Sequence, residues 1–404
     1  MLPSMTPFRS LPLRLAKPGC PSRPLLELSG WSPRNVCIVV AAVLVPALTG
    51  TAQSLERVAV IPLEAFALGP GRLVPAVAFG SGGIAVGTTD QQIVVFDSGG
   101  RELRRLGRRG GGPGEFRMLA SLSAVSDTLF ALDAARRLTA FDSNDHATSY
   151  AILPPTTGSL PLNPRALSGS AIILSQTAAP GHPLLEARGQ LFVRAHADGR
   201  MIDTLGSLDV RDQMMRIPLV EGQSEVQVVQ PYVEVDRITV SGSGRWIAIV
   251  RAPSSLYNDD ARANAVEIIS PQGRTTLQVP VHAQPLTDAT VRQWLDQQAR
   301  DLGGHIPGGQ GAARRAIASR LVRPKLHPAV RAATIGDDGV LWLLQSPVDA
   351  PIDRWTLLAS TGDVVGAVEL PRGSRPIVVS RSEAWVVQER DDGEQELVRY
   401  RVRH

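Results

Sequence analysis

Residues 84–98 read IAVGTTDQQIVVFDS and residues 129–143 read LFALDAARRLTAFDS, and the two align without a gap at a shift of 45. Ile93 falls on Leu138, and Phe96-Asp97-Ser98 falls on Phe141-Asp142-Ser143. A period of this length is the mark of a repeat architecture whose units cannot bury their apolar faces alone. Working outward, an apolar run, a tight turn and a second apolar run recur six times: AVAFGSGGIAV (76–86), LSAVSDTLFAL (122–132), RALSGSAIIL (165–174), ITVSGSGRWIAIV (238–250), ATIGDDGVLWLL (333–344) and IVVSRSEAWVV (377–387). A second hairpin follows each of the first five. It turns at Gly100-Arg101, Asn144-Asp145, Gly199-Arg200, Gly273-Arg274 and Gly362-Asp363, dipeptides that supply the positive φ of tight hairpins.

Each unit therefore predicts four antiparallel strands, A to D. The sixth has A, B and a C strand, Glu396–Val402, while an orphan strand, Glu56–Pro62, stands before the first unit. One strand missing at one end and one spare at the other predict an all-β, six-bladed β-propeller closed by the N-terminal strand. Closure of this kind removes exposed sheet edges. The large interval between units four and five predicts a helical insertion at about 286–322. Thr287 or Asp288 can cap a helix whose Val291, Trp294, Leu295, Ala299 and Leu302 form one stripe, stopped by Gly303-Gly304. The stripe reads as a lid or strut on the ring, with a partner-binding helix as the alternative.

The 404 residues carry a formal charge of +4 and two cysteines. Both cysteines, Cys20 and Cys37, lie in 1–52, and so does the excess charge: five basic residues stand there against Glu27. A disulfide-dense scaffold and an all-cysteine zinc site are excluded. Arg34 precedes the apolar run Val36–Leu48, with Gly50 and Ala52 behind it. That run is shorter than the roughly 20 residues of a membrane span, so 1–52 reads as an N-terminal extension ending in an export signal cleaved after Ala52. Residues 36–52 as an uncleaved anchor are the alternative. The expected working chain, 53–404, is cysteine-free, net-neutral and extracytoplasmic, either periplasmic or secreted.

The segment Gly107–Phe116 (GRRGGGPGEF), followed by Leu129–Asp133, Arg137-Leu138 and Phe141-Asp142, resembles an NHL-type repeat. It is similar to the TolB-like six-bladed propellers exported by many bacteria, as is His327-Pro-Ala-Val330 leading into Asp338–Trp342. The NHL asparagine before Arg-Ile is replaced here by Ala134-Ala135-Arg136. The resemblance covers 54–404 and implies a binding module.

Function is predicted from loop lengths and charge. All extra length lies in D–A and B–C connections (107–119, 152–163, 177–188, 206–236, 254–264 and 282–330), which share one end of the ring. Long loops on a rigid scaffold are where binding residues collect. Residues 303–336 hold Arg314, Arg315, Arg320, Arg323, Lys325 and Arg331 and no acid. Segment 101–117 holds six arginines against Glu102 and Glu115. The candidate ligand-binding set is Arg108, Arg109, Glu115, Phe116, Tyr232, Tyr257, Arg314, Arg315, Arg320 and His327. The expected ligand is a protein, peptide or anionic envelope component, with solvated, locally paired arginines as the plain alternative.

Gly110–Gly114 is no P-loop, since no Gly-Lys-Ser/Thr follows, and one Arg-Gly-Gly string does not make an RNA-binding segment. The glycines instead let the chain cross tightly toward the ring centre, with Phe116 filling apolar space. The seven histidines lack metal-ligand spacing, and Ser241-Gly-Ser243-Gly is a turn without nucleophile-elbow context. No catalytic residue, cofactor or metal set is assigned. Asp259-Asp260 and Asp391-Asp392-x-Glu394 are weak calcium candidates without the spacing of a defined calcium loop. The alternative function is a metal-dependent hydrolase or lyase at the central channel, and a third is a passive spacer.

Overall fold

In the computed structural model, residues 53–63, 75–133, 136–151, 162–168, 171–177, 189–196, 200–209, 214–220, 224–252, 263–280, 284–390 and 392–403 are described. They form six four-stranded antiparallel sheets. Blade 1 comprises Ala76–Phe79, Gly83–Gly87, Ile93–Phe96 and Glu102–Leu106. Blade 2 comprises Leu119–Val125, Thr128–Asp133, Arg137–Phe141 and Ala147–Ala151. Blade 3 comprises Leu162–Ser168, Ala171–Thr177, Gly189–Ala195 and Met201–Asp209. Blade 4 comprises Arg237–Val240, Ile247–Val250, Ala263–Ser270 and Gly273–Pro280. Blade 5 comprises Ala332–Ile335, Leu341–Leu344, Ile352–Leu358 and Val364–Pro371. Blade 6 comprises Arg375–Val379, Glu383–Glu389, Gln395–Arg403 and, as its outermost strand, Ser54–Pro62.

The predicted closure is therefore present. Ser54 pairs with Arg403 and Pro62 with Glu396, with a bulge between Arg57 and Ala59. Arg399 fastens the seam from the C-terminal side. It pairs with Glu383 of its own blade and donates to the Ser98 carbonyl of blade 1 at 2.9 Å.

The blades stack through apolar faces, and period-two alternation explains how. In the second strand of blade 5, Leu341 and Leu343 enter the core shared with blade 4, while Trp342 and Leu344 enter the core shared with blade 6. A strand buried on both faces must be apolar throughout, which is why Leu341-Trp-Leu-Leu344 shows no alternation. Comparable cores join blade 6 to 1, 1 to 2 and 3 to 4. Each fully buried large side chain in them contributes about 1.5–3 kcal/mol.

Two insertions flank blade 4. Before it, Met214–Val220 and Ser224–Val229 form a hairpin. After it come α1 (Asp288–Leu302) and α2 (Gly309–Ala318). Thr287 caps α1, its Oγ1 accepting the Thr290 N–H at 3.2 Å. Gly303 stays right-handed at φ −60°, and the turn into α2 is made instead by Gly308 and Gly309 at φ 91° and 68°. Reading 206–236 as one connection is corrected in part: 206–209 belong to a strand of blade 3, and the hairpin occupies the middle. Its alternation, with Met215 and Ile217 opposite Val226 and Val228, buries one face against the helices.

Candidate functional site

The glycine-rich segment after blade 1 is a closed clamp. Arg108-Arg109 and Glu115-Phe116 pair as two short parallel strands. Glu115 accepts the Gly111 and Gly112 N–H groups at 2.9 and 2.7 Å and pairs with Arg108. The Gly112 N–H and then the Arg108 guanidinium hold its carboxyl below the usual glutamate range. Arg109 reaches the Thr89 carbonyl. Phe116 is 0% exposed, filling the core between blades 1 and 2 beside Phe141 rather than the ring centre. Gly107 sits at φ +71°, and a Cβ there would lie 2.3 Å from the Phe116 ring. From blade 2, buried Asp133 accepts the Arg117 N–H at 2.8 Å, and Arg137 donates to the Gly111 and Glu115 carbonyls. The distinctive residues of the blade 2 repeat thus bind their own loop.

The second grouping is a layer made by the two insertions. Tyr232, Met215, Ile217 and Val228 share a core with Val291, Leu295 and Ala299 of α1 and with Ala313 and Ile317 of α2. Tyr232 is 1% exposed, donates to the Thr290 carbonyl at 3.3 Å and stacks edge-on against Trp294 and His327. Burial first, and then Asp349, push its hydroxyl up to about 12. His327 is 7% exposed and lies 3.8 Å from Asp349, which accepts from the Thr290 hydroxyl at 2.7 Å. Burial lowers the His327 pKa and outweighs the nearby Asp349. Tyr232 and His327 are therefore brought together as packing groups that tie the layer to blade 5.

The exposed side of α2 and of the segment after it is basic. Arg314 pairs with Asp296 of α1 at 2.6 Å. Arg315, Arg320 and Arg323 are exposed, and among the described residues no carboxylate lies within 4.0 Å of them. Among the described residues the Arg320 guanidinium donates only to the Ala316 carbonyl and the Ser319 hydroxyl. Tyr257 and Asp259-Asp260 lie outside the described residues, as does Asp391; Asp392 and Glu394 both pair with Arg390.

A cavity of about 610 Å³ follows the ring axis. It runs from the starts of inner strands (Pro75, Ala120, Pro376) to the first hairpin turns (Gly80, Gly242, Gly336). Among the described residues, no three His, Cys, Asp or Glu side chains converge as a metal set. Asp337 and Asp338 stand at the turn end, accepting from the Ser243 N–H and hydroxyl and from the Val340 and Arg381 N–H groups.

Sequence reasoning missed a polar cluster between blades 4 and 5. Glu234 accepts from Asn264 at 3.3 Å and from the Ala329 N–H at 3.0 Å, and burial raises its pKa. Arg237 donates from Nε to the Val330 carbonyl at 3.1 Å. Arg331 donates to the Ser346 and Pro347 carbonyls and to Asp353 at 3.2 Å. The signal was positional: Arg237, Arg331 and Arg375 each stand one or two residues before the repeat copies at 238, 333 and 377.

No protein-family model and no curated protein sequence matches the chain. Among solved structures it is similar to a member of the DUF4221 family from Bacteroides vulgatus, at 9% identity and a TM-score of 0.46, covering 88% of this chain and 98% of that one. It is also similar to a Bacteroides fragilis protein whose name marks it as inferred to be exported, at 11% identity and a TM-score of 0.40, covering 88% and 97%. A third likeness is to luciferin-regenerating enzyme, at 8% identity and a TM-score of 0.39, covering 87% and 97%. At these values the likenesses transfer no activity.

Proposed function

We propose that this protein is an exported, non-catalytic propeller of the NHL or TolB-like kind that binds an anionic protein, peptide or envelope component through its long-connection face. One observation carries the reading. Two insertions far apart in sequence pack on each other into one layer at that end of the ring, and the layer exposes Arg315, Arg320 and Arg323, which have no carboxylate partner among the described residues. Cations left unpaired on a rigid support steer and hold an anionic partner. The apolar run at 36–48 supports export, and no described helix is long and apolar enough to cross a membrane. Capture of anionic components from envelope extract by the mature domain tests the reading. Capture is expected to weaken with salt and with reversal of the three arginines; capture indifferent to both overturns it.

The axial cavity favours a second reading, a hydrolase or lyase with a channel metal. Stoichiometric Ca²⁺ or Zn²⁺ in purified protein, lost together with a hydrolytic activity on chelation, would replace the first reading with this one.

A further inference from the structure

The seam strand starts where the export signal ends. The signal reading places a cut after Ala52, and Ser54 is already paired with Arg403 as the first rung of the outermost strand of blade 6. Gln53 alone stands between the cut and that rung, so cleavage makes Gln53 the N-terminal residue of the working chain.

Gln53 reaches across to blade 5. Its main-chain N–H donates to the Ala367 carbonyl at 2.7 Å, and its Nε2 donates to the Val365 carbonyl at 3.3 Å. Both acceptors belong to the outermost strand of blade 5, Val364–Pro371. Gly366 lies between them, and a Cβ there would collide with the Gln53 carboxamide. Glycine inside a strand suits the close approach of another group, and here that group is the side chain of Gln53. The α-nitrogen and the carboxamide are thereby turned to the same short stretch, 365–367.

An N-terminal glutamine carries its own electrophile. Its α-amine has an ordinary pKa of about 7.7–8.0, so a fraction is unprotonated and nucleophilic at neutral pH. Attack on Cδ closes a five-membered ring. The bond from the α-nitrogen to Cδ forms, the Cδ–Nε2 bond breaks, and Nε2 leaves as ammonia with the proton that the α-nitrogen gives up. No oxidant, reductant or co-reactant enters. The lactam keeps one N–H for the Ala367 carbonyl and forfeits only the longer bond, to Val365. It also removes a charge. Arg403, opposite Ser54, and Arg401 already share one acid, Glu56, and an α-ammonium at this strand end adds a further cation.

We infer that Gln53 is a modification site: once the leader is cut, it cyclises to pyroglutamate, and the ring docks on Gly366 of blade 5 as the end of the seam. The inference rests on the export reading of the proposed function and names the chemical state of the chain end that cleavage creates.

The full chain, expressed with its leader in a bacterial host and recovered from the envelope fraction, is tested by intact mass and by sequencing of its N-terminal peptide. The expected product begins at residue 53 and is lighter by one ammonia than residues 53–404. A chain that begins at Gln53 with its full mass overturns the modification and leaves export standing. An envelope chain that begins elsewhere overturns the cut after Ala52, and with it the inference, and again leaves export standing. A chain confined to the cytoplasm overturns export and the inference together. The seat is tested separately by a double-mutant cycle. Gly366→Ala is expected to lower the thermal midpoint of the exported wild-type chain by a few degrees and to leave that of a Gln53→Ala chain unmoved. Equal shifts in the two overturn the docking. Should Gly366→Ala not fold, Gln53→Ala alone is expected to lower the midpoint, and an unchanged midpoint overturns the docking.

Discussion

Two arginine-rich segments look alike in sequence and behave oppositely in the fold. In 101–117, Arg101, Arg104, Arg105 and Arg108 find Asp97, Asp145, Glu102 and Glu115, Arg109 finds a carbonyl, and exposed Arg117 has no ion pair among the described residues. In 303–336, Arg314 and Arg331 find carboxylates, while among the described residues Arg315, Arg320 and Arg323 do not. The first segment spends most of its charges locally, Arg101, Arg104 and Arg105 around the outer strand of blade 1 and Arg108 and Arg109 on the loop around Phe116. The second leaves them on the surface of a layer whose cohesion comes from an apolar core. Charge density alone does not separate the two cases; pairing does.

The contrast can be broken most forcefully at the clamp. Phe116→Ala should cost about 3–5 kcal/mol in denaturant unfolding, as expected for emptying a sealed aromatic site. It should leave envelope capture by the folded fraction unchanged, and lost capture at full folding would make the clamp a binding element. Asp133→Asn should cost about 1–3 kcal/mol, because a buried acceptor is weakened beneath the Arg117 N–H and Arg137. On the other side, reversing Arg315, Arg320 and Arg323 to Glu should lower affinity about tenfold, near 1.4 kcal/mol. Each of these exposed changes should move stability by no more than about 0.5 kcal/mol.

The smallest effects separate the regions by pH. His327 has a folded pKa depressed below 6.5, so the unfolded chain takes up the proton first. Its contribution is complete above 6.5 and is lost as pH falls toward the folded value. Glu115 is depressed below 4.5, so its contribution persists above 4.5 and is lost as pH falls through the lower folded value. Acid titration of stability should therefore loosen the insertion layer at milder pH than the clamp. His327→Gln should flatten the upper part of the profile and Glu115→Gln the lower. A single common window for both would contradict the separation.

The ring was legible because its information is local. Turn dipeptides such as Gly273-Arg274 and uninterrupted runs such as Leu341–Leu344 state each hairpin within a dozen residues, and counting hairpins exposed both the missing strand and the spare one. The α1 cap and stripe were legible for the same reason. The hairpin at 214–229 escaped although Met215, Ile217, Val226 and Val228 alternate around a turn, since short alternation inside a long interval carries little weight beside six stronger copies. Pairing was not legible at all. Arg104 meets Asp145 from the next blade, a contact that blade stacking creates, and Arg399 meets the Ser98 carbonyl 301 residues away, one that only closure creates. The candidate residues were accordingly found by type and sorted only by the fold: Glu115 and Phe116 into the clamp, Tyr232 and His327 into the layer's core, Arg315 and Arg320 onto its surface.

The seam in blade 6 has a kinetic consequence. Among the described residues, Ser54–Pro62 pairs as a strand only with Gln395–Arg403, more than 330 residues downstream, so it is satisfied only after that distant partner has been made. Until that partner arrives, the strand and the exposed flank of blade 1 are unfinished edges. A chain that has not yet closed can still be threaded through a narrow passage, whereas the closed ring cannot. The placement of the seam thus sets the moment at which an open row of blades becomes a closed ring.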